Sequence, residues 1–201
     1  GDADYFITYG KYFHPILEKQ LNNPADRFID LGMARNDILV KKTKKNINKL
    51  FGIPKGAKIV LWLPTYRNHK NNQSMDRIDN NIMIINNEKE IIELNKQLIK
   101  NNVYILLKLH PAEDTSTLNK IKTSNIIMID DNLLTKKNIN LYELLSKTDS
   151  LLTDYSSVYF DYLLTDNMIG LTFNDLDYYT KTKGFICDNY DDVVYGEKIR
   201  R

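Results

Sequence analysis

The chain has 201 residues, which at roughly 150 residues per domain is one domain, or one and a part. Its 28 Lys and Arg against 26 Asp and Glu leave a formal charge of +2, which lacks the concentrated basic excess of a nucleic-acid partner. A single cysteine, Cys187, excludes an internal disulfide framework, and 42% hydrophobic residues exclude a disordered chain.

Tyr5–Tyr9 reads as a strand. Phe13–Leu21 has helical spacing, with Phe13, Ile16, Leu17 and Leu21 on one face. Arg27–Leu31 is a second short strand. Asp37–Phe51 reads as one basic helix, stopped by Gly52 and Pro54. Its Lys41, Lys42, Lys44 and Lys45 are most simply a solvated face, and an anionic membrane surface is the weaker reading. Ile59–Leu63 is a buried strand ended by Pro64. Asn68–Asn87 is rich in turn formers and reads as a long loop. Glu88–Asn101 is an amphipathic helix carrying Ile91, Ile92, Leu94, Leu98 and Ile99.

Val103–Leu109 is a strand, Ser116–Lys122 a short helix and Asn125–Ile129 a strand. Asn140 caps a helix over Leu141–Ser146, with Glu143 as its capping-box partner. Ser150–Thr153, Ser156–Leu164 and Met168–Phe173 read as strand, helix and strand. The Asp- and Tyr-rich end from Asn174 has no assigned element. No apolar run nears the roughly 18 residues of a membrane helix. The start, Gly1-Asp2-Ala3, has neither a methionine nor signal-peptide features, so the chain reads as a piece of a longer protein.

Apolar strands alternating with helices predict a parallel sheet covered on both faces, hence a doubly wound α/β domain over residues 55–201. Residues 1–54 read as a strand–helix–strand remnant, an interdomain segment and the tail of a preceding domain. There is no internal repeat, no G-x-G-x-x-G and no Walker loop.

Three polar clusters each follow a buried strand. Ile59–Leu63 leads into Pro64-Thr65-Tyr66-Arg67, Val103–Leu107 into Lys108-Leu109-His110-Pro111, and Ser150–Leu152 into Thr153-Asp154-Tyr155-Ser156-Ser157. Ligands of open α/β sheets bind at the carboxyl ends of strands, so these clusters are expected to converge on one crevice. Their chemistry suits an anion. Arginine offers a bidentate fork, histidine a donor or a positive charge, and a helix N-terminus free N–H groups. Each residue also has a plainer reading. Ser156 or Ser157 reads first as an N-cap, and Asp154 as a cap or turn residue. His110 could close a strand and Arg67 be a solvated loop charge. His14 reads as structural, and His69 has no assigned role. The Tyr178-Tyr179 pair reads as packing.

Taken in order, these motifs resemble the CDP-glycerol glycerophosphotransferase family, the teichoic-acid and capsule polymerases of GT-B fold. The resemblance runs through Gly32-Met33-Ala34-Arg35-Asn36-Asp37, Pro64-Thr65-Tyr66-Arg67 and Lys108-Leu109-His110-Pro111. It continues through Thr153-Asp154-Tyr155-Ser156-Ser157-Val158-Tyr159-Phe160-Asp161-Tyr162, the most specific part. Asp175-Leu176-Asp177-Tyr178-Tyr179 and Gly184-Phe185 close the series. Ala34 stands for the usual proline, Asn68-His69 for acidic residues, and Val194-Tyr195-Gly196 for Pro-Gly-Pro. The His-Pro and Ser-Ser pairs are also similar to those of several CMP-sialic acid transferases, which keeps CMP- and UDP-sugar transferases as competitors.

The resemblance implies the C-terminal, Rossmann-like donor half of a two-domain transferase. The donor would be CDP-glycerol or CDP-ribitol, and the acceptor a hydroxyl of a polyol-phosphate or polysaccharide chain. Arg67 and Thr65 would clamp the pyrophosphate. His110, beside Pro111, would stabilise the leaving phosphate, and Ser156 and Ser157 would hold a phosphate. Asp154 is counted with the donor site. Asp161 would meet the ribose or orient Arg67, while Arg35, Asn36 and Asp37 would shape the interdomain cleft. Acceptor contacts and a base would lie on the missing N-terminal domain. No metal and no cofactor is implied, and the location would be cytoplasmic, peripheral on the inner face of the membrane. The rival from another class is a non-catalytic nucleotide-binding module. A response-regulator-like domain is discounted, because that needs an acidic pocket where these strand ends carry Arg and His.

Overall fold

The computed structural model describes residues 3–65, 85, 87–111, 120–173, 176–182, 184–185, 190 and 194–199. Phe6–Thr8 (β1) and Phe28–Asp30 (β2) pair in parallel, with Phe6 opposite Phe28 and Ile7 opposite Ile29. His14–Leu21 (α1) makes the crossover between them.

A second sheet holds six parallel strands. They are Lys58–Leu63 (β3), Val103–Leu107 (β4), Ile126–Met128 (β5), Ser150–Thr153 (β6), Met168–Thr172 (β7) and Glu197–Ile199 (β8). Their order is β5-β4-β3-β6-β7-β8. The chain starts at the centre, winds out one way through β4 and β5, then returns beside β3 and winds out the other way. The order reverses between β3 and β6, and this is the doubly wound sheet that the alternating pattern predicts.

Both faces of the sheet are buried, which is why its central strands are nearly continuous apolar runs. From β3, Ile59, Leu61 and Leu63 enter one core cluster, while Trp62 enters the other with Ile105 and Leu107. Glu88–Lys100 (α4) covers the Trp62 face through Ile91 and Leu98. It is started by Asn87, whose side chain accepts from the Glu90 N–H. The opposite face carries Asp131–Lys136 (α5), Leu141–Leu145 (α6) and Val158–Tyr162 (α7). The capping box of Asn140 and Glu143 forms as the sequence predicts.

Three differences have physical causes. The single helix expected over Asp37–Phe51 is two short ones, Asp37–Lys41 (α2) and Ile47–Phe51 (α3). Lys42 turns out of the helix at φ +56°, and Asn46 caps a new start by accepting from the Lys49 N–H. The backbone between them is drawn to α6: the Thr43 N–H donates to Ser146 Oγ and Lys45 Nζ to Glu143 at 2.8 Å. The helix α5, started by Asp130 accepting from the Leu133 N–H, has no counterpart in the sequence reading. Leu176–Thr182 (α8) and β8 fill the unassigned end. β8 is exposed at every residue, so it has no apolar alternation to read. Of the loop Asn68–Asn87, only Ile85 and Asn87 are described, and most of the helix Ser116–Lys122 lies outside the described residues.

Leu39, Ile47 and Ile53 lie in the same core cluster as Leu61 and Leu106. The buried core therefore continues N-terminal of residue 54.

Candidate functional site

The three polar clusters stand on neighbouring strands. β4 pairs with β3, and β3 with β6, so the segments starting at Lys108, Pro64 and Asp154 leave the same end of the sheet side by side. This end lies at the reversal of strand order, where open sheets leave a crevice.

Hydrogen bonds tie the segments together. Thr153 Oγ1 donates to the Leu63 carbonyl at 2.6 Å, and Thr172 Oγ1 to the Thr153 carbonyl at 3.2 Å. Asp154 is wholly buried. Its carboxylate accepts the Thr65 N–H at 3.0 Å and 3.1 Å and the Thr65 hydroxyl at 2.5 Å. Tyr190 Oη donates to the Asp154 carbonyl at 3.2 Å. Asp154 thus turns its carboxylate to Thr65, and Thr65 turns its hydroxyl proton and its N–H to Asp154. Together they brace the switch point, immediately before Tyr66 and Arg67 in the sequence. Those two residues, with His69, lie outside the described residues.

On the β4 side, the Lys108 N–H donates to the Trp62 carbonyl, and its ammonium pairs with Asp131 at 3.1 Å. His110 and Pro111 are exposed at the strand end. On the β6 side, Ser156 is half-buried and Ser157 exposed. Helix α7 starts at Val158, not Ser156, and the Ser157 side chain makes no capping bond. The Ser156 and Ser157 carbonyls accept from the Tyr159 and Phe160 N–H groups. The plain cap reading therefore does not describe the Ser157 hydroxyl.

Asp161 is also wholly buried. Its oxygens accept from Asn36 Nδ2 at 2.7 Å, from Arg35 Nε and Nη2 at 3.2 Å and 3.1 Å, and from Tyr142 Oη at 2.5 Å. Of the three residues expected to shape a cleft, Arg35 and Asn36 thus converge on Asp161. Asp37 does not; it is exposed and pairs with Lys41 at 2.8 Å. Burial, reinforced by the Asp161 carboxylate, pushes the Tyr142 phenol well above the ordinary value of 10.0. Tyr9, which accepts from Arg35 Nη2 at 2.6 Å, is raised for the same reasons. Sequence reasoning missed Tyr142 and Tyr9, which lie in unremarkable contexts and meet Asp161 only through the fold.

The other marked residues are structural where they are described. His14 bridges Asp30 and the Ala25 carbonyl. Tyr179 packs on Tyr155 and Phe185, with ring centres at 4.3 Å and 5.1 Å. No group of three or more metal-ligating side chains occurs among the described residues, and no described helix is long and apolar enough to cross a membrane.

A doubly wound parallel sheet, bearing hydroxyl and imidazole side chains beyond three adjacent strands, is a Rossmann-like α/β fold. The chain belongs to the CDP-glycerol:poly(glycerophosphate) glycerophosphotransferase family, whose model matches residues 1–201. It is 28% identical over 193 residues to the teichoic acid glycerol-phosphate primase of Bacillus subtilis (strain 168), covering 96% of this chain and 45% of that protein. It is 30% identical over 195 residues to a teichoic acid poly(glycerol phosphate) polymerase of Bacillus spizizenii, covering 92% of this chain and 45% of the relative. Among solved structures it is similar to the wall teichoic acid polymerase TagF. The TM-score there is 0.69 at 26% identity, over 98% of this chain and 45% of TagF. The chain thus spans a little under half the length of these relatives.

Proposed function

We propose that this chain holds the CDP-activated donor in a transfer of glycerol phosphate, or ribitol phosphate, to a hydroxyl of a teichoic-acid-like or capsule polymer. The observation that carries this reading is the convergence at the switch point. Three adjacent strands deliver His110, the Thr65–Asp154 brace and the Ser156-Ser157 turn to one end of the sheet. His110 meets the leaving phosphate as a donor or a cation. Ser156 and Ser157 supply hydroxyl donors. Arg67, two residues beyond the braced Thr65, supplies a bidentate fork for the pyrophosphate.

In the reaction the acceptor hydroxyl attacks the β-phosphorus. A new P–O bond forms, the bond from that phosphorus to the bridging oxygen breaks, and CMP leaves. The hydroxyl proton passes to a base on the other half of the enzyme. Alignment and neutralisation of phosphate charge are what such a transfer asks of the donor half. Alone, this chain is therefore expected to bind donor weakly and turn over slowly.

Calorimetric titration with CDP-glycerol, CMP and UDP-glucose tests the reading, in the wild type and in His110→Ala. Cytidine-selective binding, weakened tenfold or more in the variant, is expected from a lost charge-assisted bond of about 1.5–3 kcal/mol. A preference for the uridine nucleotide would move the chain to sugar-nucleotide transfer, and undiminished binding by the variant would remove His110 from the site.

A further inference from the structure

We infer that Asp161 is a positioning residue: with Arg35, Asn36 and Tyr142 it forms a polar clamp that seats the β1–α1–β2 segment on α7, and so sets the position of the Ser156-Ser157 turn that leads into α7. Only the kinetic arm of its test rests on the proposed transfer.

Four donor atoms reach one wholly buried carboxylate. Asn36 takes Oδ1, while Arg35 and Tyr142 share Oδ2. The donors come from two places far apart in sequence, the 3-10 turn Ala34–Asn36 and helix α6. Arg35 carries the network outward. Its Nη2 donates to Tyr9 Oη just beyond β1, and its guanidinium lies 5.5 Å from the centre of the Tyr142 ring. Beside Asp161, the Phe160 ring meets Phe13 edge-on at 5.1 Å, and Phe13 immediately precedes α1. Two successive residues of α7 thus hold both ends of the Tyr9–Phe13 connection. Ser157 lies one helical turn before Asp161, so a displacement of the carboxylate is passed to the serine turn through a single short helix.

An apolar contact of the same volume would hold the surfaces as firmly as a buried ion pair. What the carboxylate adds is direction, because each donor must meet a lone pair at a restricted angle. Asn36 shows the same constraint. It keeps its amide N–H on Asp161 although its own Oδ1, buried beside it, has no hydrogen-bond partner among the described residues.

The test uses the full-length protein with Tyr142→Phe, Arg35→Lys and the two combined; these thin the clamp and leave a cation beside the buried charge. Hydrogen exchange needs no substrate and is read first. The amides of β1 and β2 are expected to exchange at least tenfold faster while β3 and β4 keep their protection. Unchanged exchange in the combined variant overturns the clamp. At saturating CDP-glycerol, kcat is expected to fall tenfold or more with the donor KM within threefold, since the ends of β3 and β4 stay in place and only the Ser156-Ser157 turn shifts. A purely structural contact would lower the melting temperature and leave kcat of the folded enzyme unchanged, and that result overturns the positioning role. So does a raised donor KM with kcat retained. A wild type that turns over no CDP-glycerol, with the exchange result intact, refutes the proposed function and leaves the clamp standing.

Discussion

At Asp154 a buried carboxylate meets both donors of one residue, the N–H and the hydroxyl of Thr65, across the seam between β3 and β6. Removing it leaves two donors of the half-buried Thr65 without this acceptor. Asp154→Ala is therefore expected to cost about 2–3 kcal/mol of stability. Chemical denaturation measures this, and a loss under about 0.5 kcal/mol would show that the brace is not a buried bond in solution. The residue types at this site were legible in the sequence, because Thr-Asp-Tyr-Ser-Ser directly after a strand points to a crevice. Which of them turn inward was not. Ser156 is half-buried and Ser157 exposed, while Asp154 and Asp161 turn inward to Thr65 and Arg35. An aspartate letter is the same in both settings; its neighbours in space decide between them.

The break between α2 and α3 shows how one element gives way to another. The sequence from Asp37 to Phe51 carries no proline, and its lysines favour a helix. Glu143 of α6 overrides that preference by holding Lys45 at 2.8 Å and Thr43 at 3.2 Å while closing its own capping box. Burial alone would raise the Glu143 carboxyl, but Lys45 and the Asn140 N–H outweigh it and hold it below the ordinary 4.5. A carboxylate depressed on folding adds stability above its unfolded pKa, and that stability fades as the pH falls through the folded value. Glu143→Gln is accordingly expected to cost about 1 kcal/mol near neutrality. The gap from wild type should close as the pH drops below 4.5, which denaturation across a pH series reads directly. A gap independent of pH would assign the cost to packing.

For the molecule as a whole, the core decides where the chain can be cut. Leu39, Ile47 and Ile53 are buried with Leu61, so a chain starting at Lys55 is expected to lose cooperative thermal unfolding. One starting at Gly32 keeps these residues together with the Arg35 and Asn36 donors to Asp161, and is expected to melt in one transition. Equal melting of both would show that residues 32–54 add nothing to the core. What the sequence determined by itself was the alternation of strand and helix, the parallel sheet and the three polar segments beyond its strands. These are local: burial on both faces makes a strand apolar throughout, and a chain leaving a strand must turn polar. What only the tertiary structure decided was the order of the strands, the meeting of Arg35 with Asp161 across 126 residues, and the inward turn of Asp154. Those depend on hydrogen bonds between segments distant along the chain, and no local pattern of residues records them.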